Sequence, residues 1–170
     1  MKTLYVLRHA KSSWENSDLA DFDRPLNDRG TSAAPFMGEV MKRESYIPKL
    51  ILSSPAMRAR QTAELVKKAA GLTAEIKFKE SIYEASPQTL RRIVTSLDDR
   101  LDAAMIVGHN PGMEGFVRLL TGRSEAIPTA ALAVIELDIA GWEQIDTVSI
   151  GRLLTIIRPK DEMRSSEKEN

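Results

Sequence analysis

The sequence predicts an α/β fold: three layers, α/β/α, around a mostly parallel sheet of about six strands with one antiparallel edge strand. Three observations point to it. Short β-branched or aliphatic runs alternate with longer stretches of helical period, as βαβ units require. The runs at 3–7 and 103–108 are apolar almost without alternation, which suits strands covered by helices on both faces. Finally, only "DIAGWEQIDTVSIG" separates the last two runs, too little for a crossover helix, so those two pair antiparallel at one edge.

The elements follow in order. "TLYVL" (3–7) opens the sheet, and a helix over 27–44 starts from an Asn27 cap, with Gly30 and Pro35 inside it. "LILSS" (50–54) leads into "AMRARQTAELVKKAAG" (56–71). There Ala59, Ala63, Val66 and Ala70 form an apolar stripe, and Gly71 stands in the C′ position. "EIKFK" (75–79) precedes "ASPQTLRRIVTSL", with Ser86 as N-cap, Pro87 at N1 and Leu90, Ile93, Val94 and Leu97 on one face. "AAMIVG" (103–108) runs into a short helix in "NPGMEGFVRLLTG", then "ALAVIEL" (131–137) and "RLLTIIR" (152–158) close the sheet. Residues 1–158 thus read as one domain. Residues 159–170, charged and without period, read as a frayed or disordered tail.

Composition narrows the function. The 170 residues suffice for a core that needs no staple, and the absence of cysteine removes disulfides, thiolate metal sites and a cysteine nucleophile. Lys+Arg and Asp+Glu are both 24, without the basic surplus of a nucleic-acid binder. No apolar run approaches a membrane span, and the N-terminal run is too short for a signal peptide. A soluble, cytoplasmic protein is expected; no oligomeric state is implied.

Ligands of open α/β sheets bind beyond the carboxyl ends of the strands. Three such ends are polar here: "RH" at 8–9, "SSPAMRARQ" at 53–61 and "GHNPG" at 108–112. Taken singly, His9 and His109 read as hydrogen-bonded structural residues, Arg58 as a solvated helix arginine and Arg8 as an ion-pair member. Jointly placed, two arginines, two histidines and a helix N-terminus make an anion site suited to phosphate oxygens. Arg24 in "DFDRPLNDRG" has Asp21 and Asp23 close enough to pair with it, and Trp14 reads as a partly buried aromatic closing the loop after the first strand. The chain offers no HxxxH, HxH or cysteine pattern for a metal.

The motifs resemble those of a known family. "LRHAKSSW" is similar to the RHG signature of the histidine phosphatase superfamily, with Ala10 in place of the usual glycine; "SSPAMRARQTAE" and "VGHNPG" resemble its second and third motifs. "RPLNDRG" together with "RHAKSSW" resembles the small SixA-like branch of phosphohistidine phosphatases. The resemblance implies a phosphoglycerate mutase-like fold and a phosphatase working through a phosphohistidine intermediate, with neither metal nor cofactor. His9 would be the nucleophile. Arg8, Arg58 and His109 would hold the phosphoryl group, and Arg24 and Ser12 would be further contacts. Larger members place a carboxylate after the third strand, and Glu84 in "ESIYEAS" stands there as a candidate acid; its bland reading is a solvated glutamate at a helix N-terminus. They also place an asparagine six residues after the nucleophile, where this chain has Glu15 followed by Asn16. The expected partner is the phosphate of a phosphorylated protein or small molecule. A small-molecule phosphomonoesterase and a non-catalytic phospho-ligand module remain as alternatives. A nucleotide-binding regulator is disfavoured by the lack of GxxxxGK[ST] and GxGxxG.

Overall fold

A computed structural model describes residues 1–146 and 151–169. Six strands form one sheet: β1 (Lys2–Arg8), β2 (Leu50–Ser53), β3 (Glu75–Phe78), β4 (Ala103–Gly108), β5 (Leu132–Leu137) and β6 (Arg152–Ile157). Their order is β3-β2-β4-β1-β5-β6. β1 pairs parallel with β4, and β2 parallel with both β4 and β3. The reversed strand is β5, last but one in the sheet: it runs antiparallel to β1 and to β6, so the edge strand β6 again points the way of β1.

Five α-helices flank this sheet: α1 (Asp28–Glu44), α2 (Met57–Ala70), α3 (Pro87–Thr95), α4 (Gly112–Thr121) and α5 (Pro159–Glu169). Asn27 caps α1 by accepting from Gly30 N–H, and the helix runs through Pro35 because Ala34, Met37, Val40 and Met41 bury its inner face. Gly71 ends α2 in the left-handed conformation at φ 66°, where it carries no Cβ penalty. Ser86 caps α3 by accepting from Thr89 N–H.

The pleat divides the core. Tyr5 and Leu7 point to the layer of α1 and α2, against Met37, Ala59, Ala63 and Val66. Leu4 and Val6 point to the opposite layer, against Leu90, Val94, Phe116, Val117 and Trp142. Each buried Leu, Ile or Phe contributes about 1.5–3 kcal/mol, enough in sum to hold the strand ends in fixed register.

The C-terminal segment departs from the sequence reading. Residues 159–169 form helix α5 instead of a disordered tail; residue 170 lies outside the described residues. Pro159 starts the helix with its φ already fixed, Asp161 and Glu162 favour the positive end of the dipole, and Glu162 bridges to Arg43 of α1 at 3.1 Å. Among the described residues no helix is long and apolar enough to cross a membrane.

Candidate active site

The parallel strands deliver their carboxyl ends to one edge of the sheet, and β1, β2 and β4 stand side by side there. His9 leaves β1 with its N–H bonded to Gly108 O at 3.0 Å, so the two histidine-bearing turns are tied to each other. The imidazoles of His9 and His109 lie with centroids 5.0 Å apart, tilted by 50°. His9 is only 7% exposed and its Nδ1 lies 2.7 Å from Ala10 O. A carbonyl oxygen can only accept, so Nδ1 carries the proton and the lone pair is on Nε2. Ala10, standing for glycine, is fully buried without a positive φ, and its N–H donates to Thr62 Oγ1 at 2.9 Å.

His109 Nε2 lies 2.8 Å from Ser54 Oγ, which already accepts from Ala56 N–H. The serine proton is therefore free to point at Nε2, which leaves His109 Nδ1 with the ring proton. That nitrogen is buried and has no hydrogen-bond partner.

Both rings are held neutral. Burial pushes His9 down to about 3; the Ala10 carbonyl opposes this, while His109, Arg58 and Arg8 add to it. Burial, then Arg58, lowers His109 to about 4. These are the chain's two histidines, so their imidazole NMR signals are unambiguous. In the ligand-free protein neither is expected to titrate between pH 8 and 5; a signal titrating near the ordinary ~6.5 would contradict this environment.

Two arginines close the charge. Arg8 donates from Nη1 to Ile127 O at 3.2 Å, while its buried Nε lacks a partner. Arg58, in the first turn of α2, donates from Nη1 to the backbone oxygen of Asp21 at 2.7 Å and from Nη2 to Asp21 Oδ2 at 3.0 Å. Asp21 Oδ1 accepts from Arg24 Nη1 at 3.1 Å, and Oδ2 also accepts from Tyr83 O–H at 2.6 Å. With these donors the Asp21 carboxyl lies below its usual range, chiefly through Tyr83, while the Tyr83 hydroxyl is pushed up to about 12. Asp21 thus fixes which edge of Arg58 remains for a ligand. The cleft between these groups, about 710 Å³, is lined by Asp21, Arg58, Glu84, His109 and the start of α4.

Comparison with known proteins bears on this geometry. The model of the histidine phosphatase superfamily (branch 1) matches residues 4–93, more than half the chain. The chain belongs to the histidine phosphatase superfamily. A protein of Agrobacterium tumefaciens assigned as the phosphohistidine phosphatase SixA is 30% identical, with a TM-score of 0.81 over 93% of this chain and 98% of that one. A SixA structure complexed with tungstate has the same fold, at 20% identity and a TM-score of 0.81, over 94% of this chain and 98% of that one. An uncharacterized protein of Mycobacterium leprae is 31% identical over 84% of this chain and 94% of its own length. The protein is thus a histidine phosphatase of the SixA-like branch with the mutase-like fold.

In this histidine phosphatase the residues singled out in the sequence fall into two groups. Arg58 and His109 line the cleft, while His9, against the His109 ring, and Arg8 stand close enough for both arginines to act on the His9 imidazole. Arg24 and Ser12 stand a layer behind it: the buried Ser12 Oγ accepts from Arg24 Nη2 at 3.0 Å, and Arg24 Nε donates to Ser13 O. Glu84 borders the cleft, exposed, in the left-handed conformation at φ 57°. Glu15 and Asn16 are exposed, and Asn16 Oδ1 accepts from Asp18 N–H. Trp14 is 75% exposed and not partly buried. Its loop is closed instead by backbone pairing of Ser13 N with Pro25 O and by the Ser12–Leu26 bridge.

The sequence reading missed three residues. In the sequence Asp21 reads only as a partner of Arg24, Tyr83 carries no signal of its own, and Ser54 reads only as part of a motif. Their roles rest on contacts across 37, 62 and 55 residues, which local periodicity does not report. Among the described residues no group of three or more His, Asp or Glu side chains is placed to hold a metal ion.

Proposed function

We propose that this histidine phosphatase hydrolyses phosphohistidine in a protein, without a metal, through a phosphohistidine intermediate on His9. What carries the reading is a pair of buried nitrogens without hydrogen-bond partners, Arg8 Nε and His109 Nδ1, on side chains close to the neutral His9 imidazole. A buried donor without an acceptor costs about 1–3 kcal/mol, and phosphoryl oxygens between them would satisfy both.

His9 Nε2 attacks phosphorus in line, forming an N–P bond as the substrate's P–N bond breaks and its imidazole, protonated on the other ring nitrogen, leaves neutral; the His9 proton stays on Nδ1, donated to Ala10 O. Arg8, Arg58 and His109 stabilise the charge on the equatorial oxygens. Water then attacks phosphorus, the His9 N–P bond breaks, and phosphate leaves with Nε2 restored. Arg24, held by Ser12 and Asp21, keeps Asp21 in place behind Arg58. A phosphohistidine leaving group has an imidazole of pKa ~6.5, which departs far more readily than an alkoxide. The SixA structure complexed with tungstate, an oxyanion with the shape of phosphate, supports a phosphoryl ligand in this fold.

A second reading, a small-molecule phosphomonoesterase, draws on Glu84, which borders the same cleft and would protonate an alkoxide. Phosphate release with EDTA present separates the two. The expected result is release from free and protein-bound phosphohistidine that exceeds release from an alkyl phosphate, with Glu84→Gln leaving the former unchanged. Preference for the alkyl ester, lost in Glu84→Gln, would favour the second reading, and loss of all activity on chelation would sink the metal-free mechanism.

A further inference from the structure

The mouth of the cleft carries an uneven surface. The exposed large apolar side chains of the described residues are Met1, Trp14, Leu19, Phe22, Ile47, Met57 and Leu154. Singly exposed apolar residues need no explanation, but four of these come from the two short segments that frame the arginines.

Two of the four are joined to the site by contacts, and the other two stand beside its residues in the chain. Trp14 lies against the Arg24 guanidinium, 3.2 Å from its carbon to the ring centroid, yet stays 75% exposed. Arg24 and Arg58 share Asp21, whose carboxylate also takes the Tyr83 hydroxyl. Phe22 meets Tyr83 edge-on at 5.2 Å, and Tyr83 in turn meets His109 at 5.5 Å. Leu19 precedes Asp21 on the same loop, and Met57 directly precedes Arg58. An apolar rim therefore borders a polar, cationic floor.

We propose that this rim is the docking surface for the folded protein that carries the phosphohistidine, a proposal that rests on the substrate reading above. A phosphoryl group seated between Arg8, Arg58 and His109 brings its carrier against whatever borders the cleft. A small phosphate ester ends inside the cleft, whereas a protein extends over the rim. The rim is continuous with the phosphoryl site through Arg24, Asp21 and Tyr83, and it offers aromatic and Met side chains, the types enriched where protein partners meet. The fitting partner presents apolar side chains around its phosphorylated histidine.

The test compares wild type with Trp14→Ser, Leu19→Ser and Met57→Gln on three probes. These are para-nitrophenyl phosphate, free phosphohistidine, and a histidine phosphotransfer domain phosphorylated with phosphoramidate. KM for the phosphorylated domain should rise about tenfold per variant, with kcat unchanged and both small substrates turned over as in wild type. The ratio of variant to wild-type KM should change little with added salt, since the contact removed is apolar. Trp14 touches Arg24, so Leu19 and Met57 decide the matter if Trp14→Ser disturbs the small substrates. An unaltered KM for the domain in Leu19→Ser and Met57→Gln, or an equal loss on the small probes, overturns the proposal. Free phosphohistidine keeps the two ideas apart: if wild type fails on it, the substrate reading falls and the docking proposal with it. Normal turnover with an unaltered domain KM removes the rim alone.

Discussion

His9→Ala is expected to abolish turnover, with a loss of at least about 10⁴-fold, while leaving the fold intact. The imidazole offers a nucleophilic lone pair: Nδ1 donates to Ala10 O, which leaves the lone pair on Nε2. His109 cannot take over, because its Nε2 is engaged with Ser54 and its remaining nitrogen carries the ring proton. The fold survives because the side chain makes one hydrogen bond and the backbone of residue 9 stays tied to Gly108 O. Rapid quench and mass spectrometry should find a phosphohistidine on wild-type His9 and none in the variant, with matching thermal unfolding curves. Turnover by His9→Ala would remove the covalent mechanism and leave direct attack by water.

The second large effect is expected at Arg58. Arg58→Ala should lower kcat by about 10²–10³-fold, equivalent to about 3–4 kcal/mol of barrier, on every phosphorylated substrate. Two losses combine. One cation disappears from beside the phosphoryl group, and Asp21 loses both of the bonds that Arg58 makes to it. The freed carboxylate remains next to an anionic ligand, held only by Arg24 and Tyr83. Arg58→Lys should recover little, since an ammonium cannot grip a backbone oxygen and a carboxylate with one face while offering another to phosphate. Single-turnover kinetics with para-nitrophenyl phosphate measure this loss, and a change under about threefold would exclude Arg58 from the charge stabilisation.

Much of this architecture could be read from local pattern. Every strand reading lies within one residue of an observed end, because apolar runs bounded by polar turns mark buried strands without reference to their neighbours. Asn27, Ser86 and Gly71 act as caps for the same reason: a cap is a contract between residues a few positions apart. The motifs placed Arg8, His9, Arg58 and His109 together because each ends or follows a strand of one parallel sheet. What was hidden is long-range. Asp21 joins Arg58 and Tyr83 only once α2 and the loop before α3 have docked, and Trp14 is left outside because Arg24 fills the space beneath it. Helix α5 escaped a reading by periodicity because its charged turns draw support from Arg43 on another helix.

The reversal of β5 has a consequence for how such a cleft can change. Along the carboxyl edge, β1, β2 and β4 line the pocket with the turns that follow them, whereas β5 contributes the segment that precedes it. Through that segment Ile127 O receives Arg8, and Ala130 N–H reaches the backbone oxygens of Arg8 and His9. Chain added between α4 and Ile127 would be anchored at both ends by helix and strand and would grow outward over the Arg8 side of the cleft. It would shift no register in the sheet. A roof for a smaller substrate can thus be acquired by lengthening one surface excursion, with the phosphoryl-handling floor inherited unaltered.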